Sequence, residues 1–131
     1  MSAFDPLATF VHLPDGPGAA LVDVTPDFWQ KLGQRTDLQG GRLVSAYRFT
    51  EDWTSWERHP AGDELVFVLS GALELVLDED GRERTLPLRS GSGAVIPRGM
   101  WHTARVREAS EALFVTRGAG TEHRPLERRS P

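Results

Sequence analysis

The sequence predicts an all-β fold, a sandwich or barrel of short strands with one short helix near the N-terminus. Three observations carry this. Thirteen glycines and nine prolines cut the 131 residues into short pieces, which suits strands and turns better than long helices. Between Arg42 and Arg117, turn signals recur about every eight to twelve residues, the spacing of an all-β domain. In LELVL, Leu73, Leu75 and Leu77 alternate with Glu74 and Val76, the period of a half-buried strand. The length fits one domain with a modest core.

The elements follow in order. Residues 1–18 read as an irregular arm, because Asp5-Pro6, Pro14-Asp15-Gly16 and Pro17-Gly18 interrupt it; one short strand is expected near 9–13. A second strand is expected over 20–24. Thr25-Pro26-Asp27 resembles a helix start, with Thr as N-cap, Pro at the first helical position and an acid in the first turn. Gly33 is expected to end that helix after about two turns. Strands then follow at 42–50, 54–59, 64–70, 73–77, 82–86, 93–96, 101–107 and 111–116. Asp78-Glu79-Asp80-Gly81 is a polar hairpin turn ending in Gly. The strand-bearing domain thus runs over 19–117. The tail, 118–131, is rich in charge, Gly and Pro and is expected to be mobile or draped on the surface.

Composition excludes several classes. There is no cysteine, so disulfides, thiolate metal sites and cysteine nucleophiles are out. A reducing cytoplasm fits that absence. The N-terminus has neither the basic region nor the apolar stretch of a signal peptide, and no segment approaches the roughly 20 apolar residues of a membrane helix. A formal charge of -4 argues against nucleic acid or an anionic membrane as partner. In the tail, Arg124, Arg128 and Arg129 are offset by Glu122 and Glu127. No phosphate-binding loop and no nucleophile elbow is present.

Two stretches carry chemistry. WERHPAGDELVFVLSG, Trp56 to Gly71, places Glu57, His59 and Glu64 directly before an apolar run. On a strand, Glu57 and His59 share a face. Glu64, Val66 and Val68 share one face of the next strand, leaving Leu65, Phe67 and Leu69 on the other. Both faces then need cover, and a second copy of the chain is the simple answer for the outer one, with the chain's own arm or helix as the alternative. The second stretch, GSGAVIPRGMWH, delivers His102 from a Pro-x-Gly turn at the start of a strand. Two imidazoles and a carboxylate at one barrel mouth would suit a first-row divalent ion with open positions left for water or substrate.

These stretches resemble the two motifs of the cupin superfamily. The first motif is Gly, five residues, His-x-His, three or four residues, Glu, six residues, Gly; His59, Glu64 and Gly71 stand at those spacings. The second is Gly, five residues, Pro-x-Gly, two residues, His, three residues, Asn; Gly91, Pro97, Gly99 and His102 match it. The first histidine is replaced by Glu57, the leading Gly by Glu51, and the final Asn by Val106. The resemblance implies a double-stranded β-helix, the jelly-roll barrel, with His59, Glu64 and His102 as metal ligands.

Glu57 stands where a ligand would be, and a carboxylate can coordinate, so it is expected as a fourth ligand; an ion pair with an arginine is the alternative. Exchanging imidazole for an anion favours harder ions such as Fe(II) or Mn, with Zn or Ni remaining open. The expected protein is a small metalloenzyme, dioxygenase- or isomerase-like, acting on a small organic molecule. The other readings are a non-catalytic sensor or store and a metal-free structural barrel. No catalytic side chain is assigned. Trp53 is a candidate pocket wall, whereas Trp56 and Trp101 should face away from the ligands. His12 and His123, in the terminal segments, are expected in solvent. Arg48, Arg98 and Arg105 are expected as surface charges.

Overall fold

A computed structural model describes residues 1–126. Glu127, Arg128 and Arg129 of the expected tail lie outside the described residues. Among the described residues eleven strands are formed: β1 Thr9–Leu13, β2 Ala20–Asp23, β3 Arg42–Phe49, β4 Ser55–Arg58, β5 Glu64–Ser70, β6 Ala72–Glu79, β7 Arg82–Arg89, β8 Gly93–Ile96, β9 His102–Arg105, β10 Ser110–Thr116 and β11 Glu122–Pro125. They build two antiparallel sheets. One has the order β2-β1-β3-β10-β5-β8 and the other β11-β4-β9-β6-β7. This is the jelly-roll barrel expected from the sequence. Among the described residues no helix is long and apolar enough to cross a membrane.

Alternation explains the core. Val66 and Val68 of β5, Leu73, Leu75 and Leu77 of β6, and Ala112 and Phe114 of β10 fill the space between the sheets. Leu75 and Val66 are wholly buried, while Phe67 and Leu69 stand nearly half exposed on the outer face. The strand reading is close for most elements. The hairpin joining β6 to β7 pairs Glu79 with Arg82, so Asp80 and Gly81 form its two-residue tip. Both have positive φ, 54° and 87°, as the Asp-Gly turn demands.

Three expectations change. The helix, α1, spans only Phe28–Lys31 and runs into a 3-10 turn over Leu32–Gln34, so Gly33 lies inside that turn rather than ending the helix. Thr25 does not cap it. Its hydroxyl donates to the Asp27 carboxylate at 2.6 Å, which Lys31 also holds at 2.8 Å, so the polar groups satisfy one another instead of the helix end. His12 is buried rather than solvated, because it shares the inward face of β1 with Phe10; its Nε2 lies 3.0 Å from the Gly40 carbonyl oxygen. Residues 122–125, expected to be mobile or draped on the surface, form β11 at the edge of the five-stranded sheet. A run of Glu-His-Arg-Pro carries no apolar periodicity that would signal a strand.

Candidate metal centre

Strand pairing assembles the site. Glu57 of β4 lies directly opposite His102 of β9, so the two side chains share a face. Glu64 opens β5 on the facing sheet, and His59 follows β4 by one residue. The two motif stretches are tied together by their backbones. Gly99, at φ +77°, takes the turn position that favours glycine. Its N–H donates to the His59 carbonyl at 3.0 Å, and the Arg98 N–H donates to the Asp63 carboxylate at 2.9 Å. Gly71, at the far end of the first motif, has φ +76°, and a Cβ there would sit 2.4 Å from Ser110 Oγ. The motif glycines therefore serve the backbone that brings the polar residues together.

One donor atom each from Glu57, His59, Glu64 and His102 falls within a 4.8 Å cluster. His59 Nε2 is 3.5 Å from Glu57 Oε1 and 3.1 Å from Glu64 Oε2. His102 Nε2 is 3.4 Å from Glu57 Oε1 and 3.3 Å from Glu64 Oε1. Donors on one octahedral ion at about 2.0–2.3 Å are separated by roughly 3 to 4.5 Å, and the cluster is close to that size. His102 is wholly buried and Glu64 is 3% exposed; Glu57, at 22%, is the open corner.

The donor set fits a cation on a further observation. His59 Nε2, His102 Nε2 and Glu64 Oε1 are buried without a well-directed hydrogen bond; their polar neighbours are one another and Glu57 at 3.1–3.5 Å, so the buried polar atoms depend on a shared proton or cation. The opposite ring nitrogens fix why. His102 Nδ1 is 3.0 Å from the Met100 carbonyl oxygen, which can only accept, so Nδ1 carries the proton. His59 Nδ1 is 2.9 Å from Thr121 Oγ1, whose own hydroxyl proton is spent on the Gly118 carbonyl at 2.8 Å. That nitrogen must donate too. Nε2 of each ring therefore faces the cluster, where it carries a proton in the metal-free protein and would offer its lone pair to an ion that displaces that proton, the arrangement of a metal-ligating histidine. Glu64 is oriented by the Thr116 hydroxyl, which donates to Oε2 at 2.5 Å.

Charge reinforces this. Burial alone would lower both imidazole pKa values, but hydrogen bonding and attraction to Glu57 and Glu64 outweigh it and hold His59 and His102 up at about 9. Burial would likewise raise the two carboxylates, and the facing histidines instead keep both below the ordinary range. Two carboxylates attract positive charge into the cluster, and protons or a divalent ion can supply it.

The ring nitrogens facing Glu57 are those of His59, His102 and, on its other oxygen, His123 at 3.4 Å. Among the described residues no arginine pairs with Glu57. His123 is exposed, as expected, yet it stands beside the site. Thr116 and Thr121 were not singled out from the sequence, and His123 was read only as a solvent-exposed side chain. Thr116 was within reach, since it shares the parity of Ala112 and Phe114 on β10; Thr121 and His123 carry no such signal. Arg48 pairs with Glu111 and Arg105 with Glu83 at the surface.

A cavity of about 870 Å³ opens beside the cluster, with Tyr47, Phe49, Trp53 and Phe114 in its wall. Their rings pack on one another at centroid distances of 5.6–6.1 Å. Trp53 is thus a pocket wall, and its ring lies 6.2 Å from that of His102. Trp56 and Trp101 are not part of the wall; they pack instead against Arg124.

The family model described as a cupin domain matches residues 50–117, just over half of the chain. No match was found among the curated proteins. Among solved structures, a cupin-2 domain containing protein from Shewanella frigidimarina superposes with a TM-score of 0.50 at 22% identity, covering 56% of this chain and 68% of that one. Oxalate oxidase superposes with a TM-score of 0.53 at 19% identity, over 61% of this chain and 44% of its own. Hydroxypropylphosphonic acid epoxidase from S. wedmorenis gives 0.51 at 15%, over 57% and 43%. Fe(II) and Co(II) forms of HppE also match, at 15% identity. The chain spans less than half the length of these enzymes, and the likeness is one of fold. Motif residues, sheet topology and the matched domain agree: the protein belongs to the cupin superfamily.

Proposed function

We propose that the barrel holds one divalent metal ion through Glu57, His59, Glu64 and His102, and that the site acts on a small organic molecule bound in the adjoining cavity. The observation that carries this is the set of three buried donors without a well-directed hydrogen bond, His59 Nε2, His102 Nε2 and Glu64 Oε1. Two neutral imidazoles and two carboxylates bring a charge of -2, which matches a divalent ion and favours a hard one such as Fe(II) or Mn over Zn or Ni. When bound, such an ion supplies Lewis-acid or redox chemistry at an open coordination position.

The cavity speaks to the substrate. Its aromatic wall suits an apolar or aromatic body. His12 and Arg117 also line it, but His12 is engaged with Gly40 and Arg117 with Asp15 at 3.0 Å. A neutral body with one oxygen function directed at the ion fits best. Dioxygenase-like and isomerase-like turnover both belong to this reading. Metal-loaded protein is screened for O2 uptake and for ketose–aldose turnover. Turnover that disappears in His102→Ala supports the enzyme; measurable small-molecule binding with persistent inactivity favours a sensor or store.

The same proposal includes a homodimer. Phe67, Leu69 and Val95 form an exposed apolar stripe beside β8, the edge strand of its sheet. Gly93 leaves room for the Phe67 ring to lie against the backbone, since a Cβ there would come within 2.7 Å of it. A flat stripe beside an unpaired edge suits a second copy related by a two-fold axis. Light scattering should give twice the chain mass, falling to one in Phe67→Asp; a monomeric parent protein contradicts the dimer. A cytoplasmic setting, expected from the absence of cysteines, is read by cell fractionation.

A further inference from the structure

We infer that the C-terminal segment from Gly118 to Pro125, which lies beyond the matched cupin domain, is a built part of the metal centre, with Thr121 positioning His59 and His123 positioning Glu57. The inference rests on the proposed metal site and goes beyond its ligand set.

Three observations converge on this segment. Thr121 is the sole hydrogen-bond partner that the described residues give to His59 Nδ1. Its hydroxyl is locked by the Gly118 carbonyl within a tight turn, where the Thr121 N–H also returns to Gly118 at 3.1 Å. Only the acceptor side of Oγ1 is left for the imidazole, so the threonine dictates which ring nitrogen faces the cluster. Next, β11 pairs with β4 in a register that sets His123 directly opposite Glu57. His123 Nε2 lies 3.4 Å from Glu57 Oε2, while Glu57 Oε1 faces His59 and His102. His123 is outside the four-atom cluster, so it acts on the carboxylate rather than on the ion.

Finally, the segment is fastened at points outside the site. Glu122 pairs with Arg58 at 3.0 Å. Arg124 reaches Asp78 at 2.6 Å and lies over the rings of Trp101 and Trp56 at 4.7 and 5.2 Å. A part-exposed guanidinium held by a carboxylate and stacked on two indoles anchors the strand. The tryptophans that face away from the ligands thus hold the strand that supports them.

Partners of metal-ligating side chains are commonly worth about ten- to a hundred-fold in metal affinity. Co(II) serves as the probe, because its visible spectrum reports ligand geometry as well as occupancy. Thr121→Val keeps the shape and removes the acceptor. It should bind Co(II) about ten- to a hundred-fold more weakly than the parent protein, with an altered spectrum, and Thr121→Ser should restore both. His123→Ala should give a smaller loss, since His123 is more than half exposed, with its own spectral change. A parent protein that binds one Co(II), beside Thr121→Val and His123→Ala proteins of unchanged affinity and spectrum, overturns this inference and leaves the metal site standing. A parent protein that takes up no Co(II) overturns both. Failure of Thr121→Ser to recover the parent spectrum overturns the assignment to the hydroxyl.

Discussion

The two halves of the cluster are built differently. Glu64 and His102 sit on β5 and β9, strands flanked on both sides within their sheets, and they are almost wholly withdrawn from water. Their orientation comes from groups inside the barrel, the Thr116 hydroxyl and the Met100 carbonyl. Glu57 and His59 belong to β4 and the turn after it, one strand from the edge of the five-stranded sheet that also holds β9. Their orientation comes from β11 and the turn before it, a late addition to the chain. The inner half is fixed by the barrel itself. The outer half depends on a short strand held by two ion pairs, Arg124–Asp78 and Arg58–Glu122, and two indoles. The deep residues thus set whether the site exists, and the outer ones tune what it holds.

The largest test of that contrast is His102→Ala. Removing this imidazole leaves two buried carboxylates with one partner fewer, which should cost about 3 to 5 kcal/mol of stability. Metal content should fall to near zero, and the melting temperature should drop in parallel. Glu57→Gln, at the open corner, should leave the metal-free fold nearly as stable and weaken metal binding without abolishing it. Equal losses in the two proteins, by calorimetry and elemental analysis, would erase the distinction between the halves.

Glu57→His should have a subtler effect. It restores a third imidazole and raises the charge of the donor set by one. Preference among ions should then move from Mn and Fe(II) toward Ni and Zn, read by competition between metals at fixed total concentration. An unchanged order of preference would mean that Glu57 lies outside the coordination shell.

Acidity gives a third and smaller signal, in metal-free protein. His59 and His102 titrate near 9 in the folded state against 6.5 as a reference. A folded pKa above the unfolded one adds stability that is complete below about 6.5 and lost as pH rises through about 9. The lowered carboxylates add stability present above their reference of 4.5 and lost on acidification. The melting temperature of the metal-free protein should therefore peak between about pH 4.5 and 6.5 and decline toward pH 9. Metal binding displaces the same protons, so affinity should rise over the range in which metal-free stability falls. A metal-free melting temperature that is flat from pH 6 to 9 would show that the four residues do not act as one charge cluster.

The same contrast explains what was legible in the sequence. Glu64 and His102 were readable because they stand at fixed spacings from Gly71, Pro97 and Gly99, and those positions are constrained by turns that glycine serves. The apolar alternation of β5 and β6 placed the core for the same reason. Glu57 was readable as a position, though its partners were not: histidines from three different segments surround it, and only tertiary structure brings them there. His12 was misplaced because a polar side chain in a terminal segment suggests exposure, whereas its parity with Phe10 decides its burial. β11 was invisible, since its place comes from Arg124 meeting Asp78, Trp56 and Trp101 rather than from any apolar pattern of its own. The helix was overread because Thr25 and Asp27 can satisfy one another as readily as they can cap.

The central claim is that Glu57, His59, Glu64 and His102 hold one divalent ion. Its most direct test is the elemental content of the protein purified without added metal, and again after incubation with Mn, Fe(II), Ni or Zn. The structure leads to about one equivalent of a single divalent ion per chain, lost in His102→Ala. Less than about a tenth of an equivalent, not restored by any of the four, would contradict it.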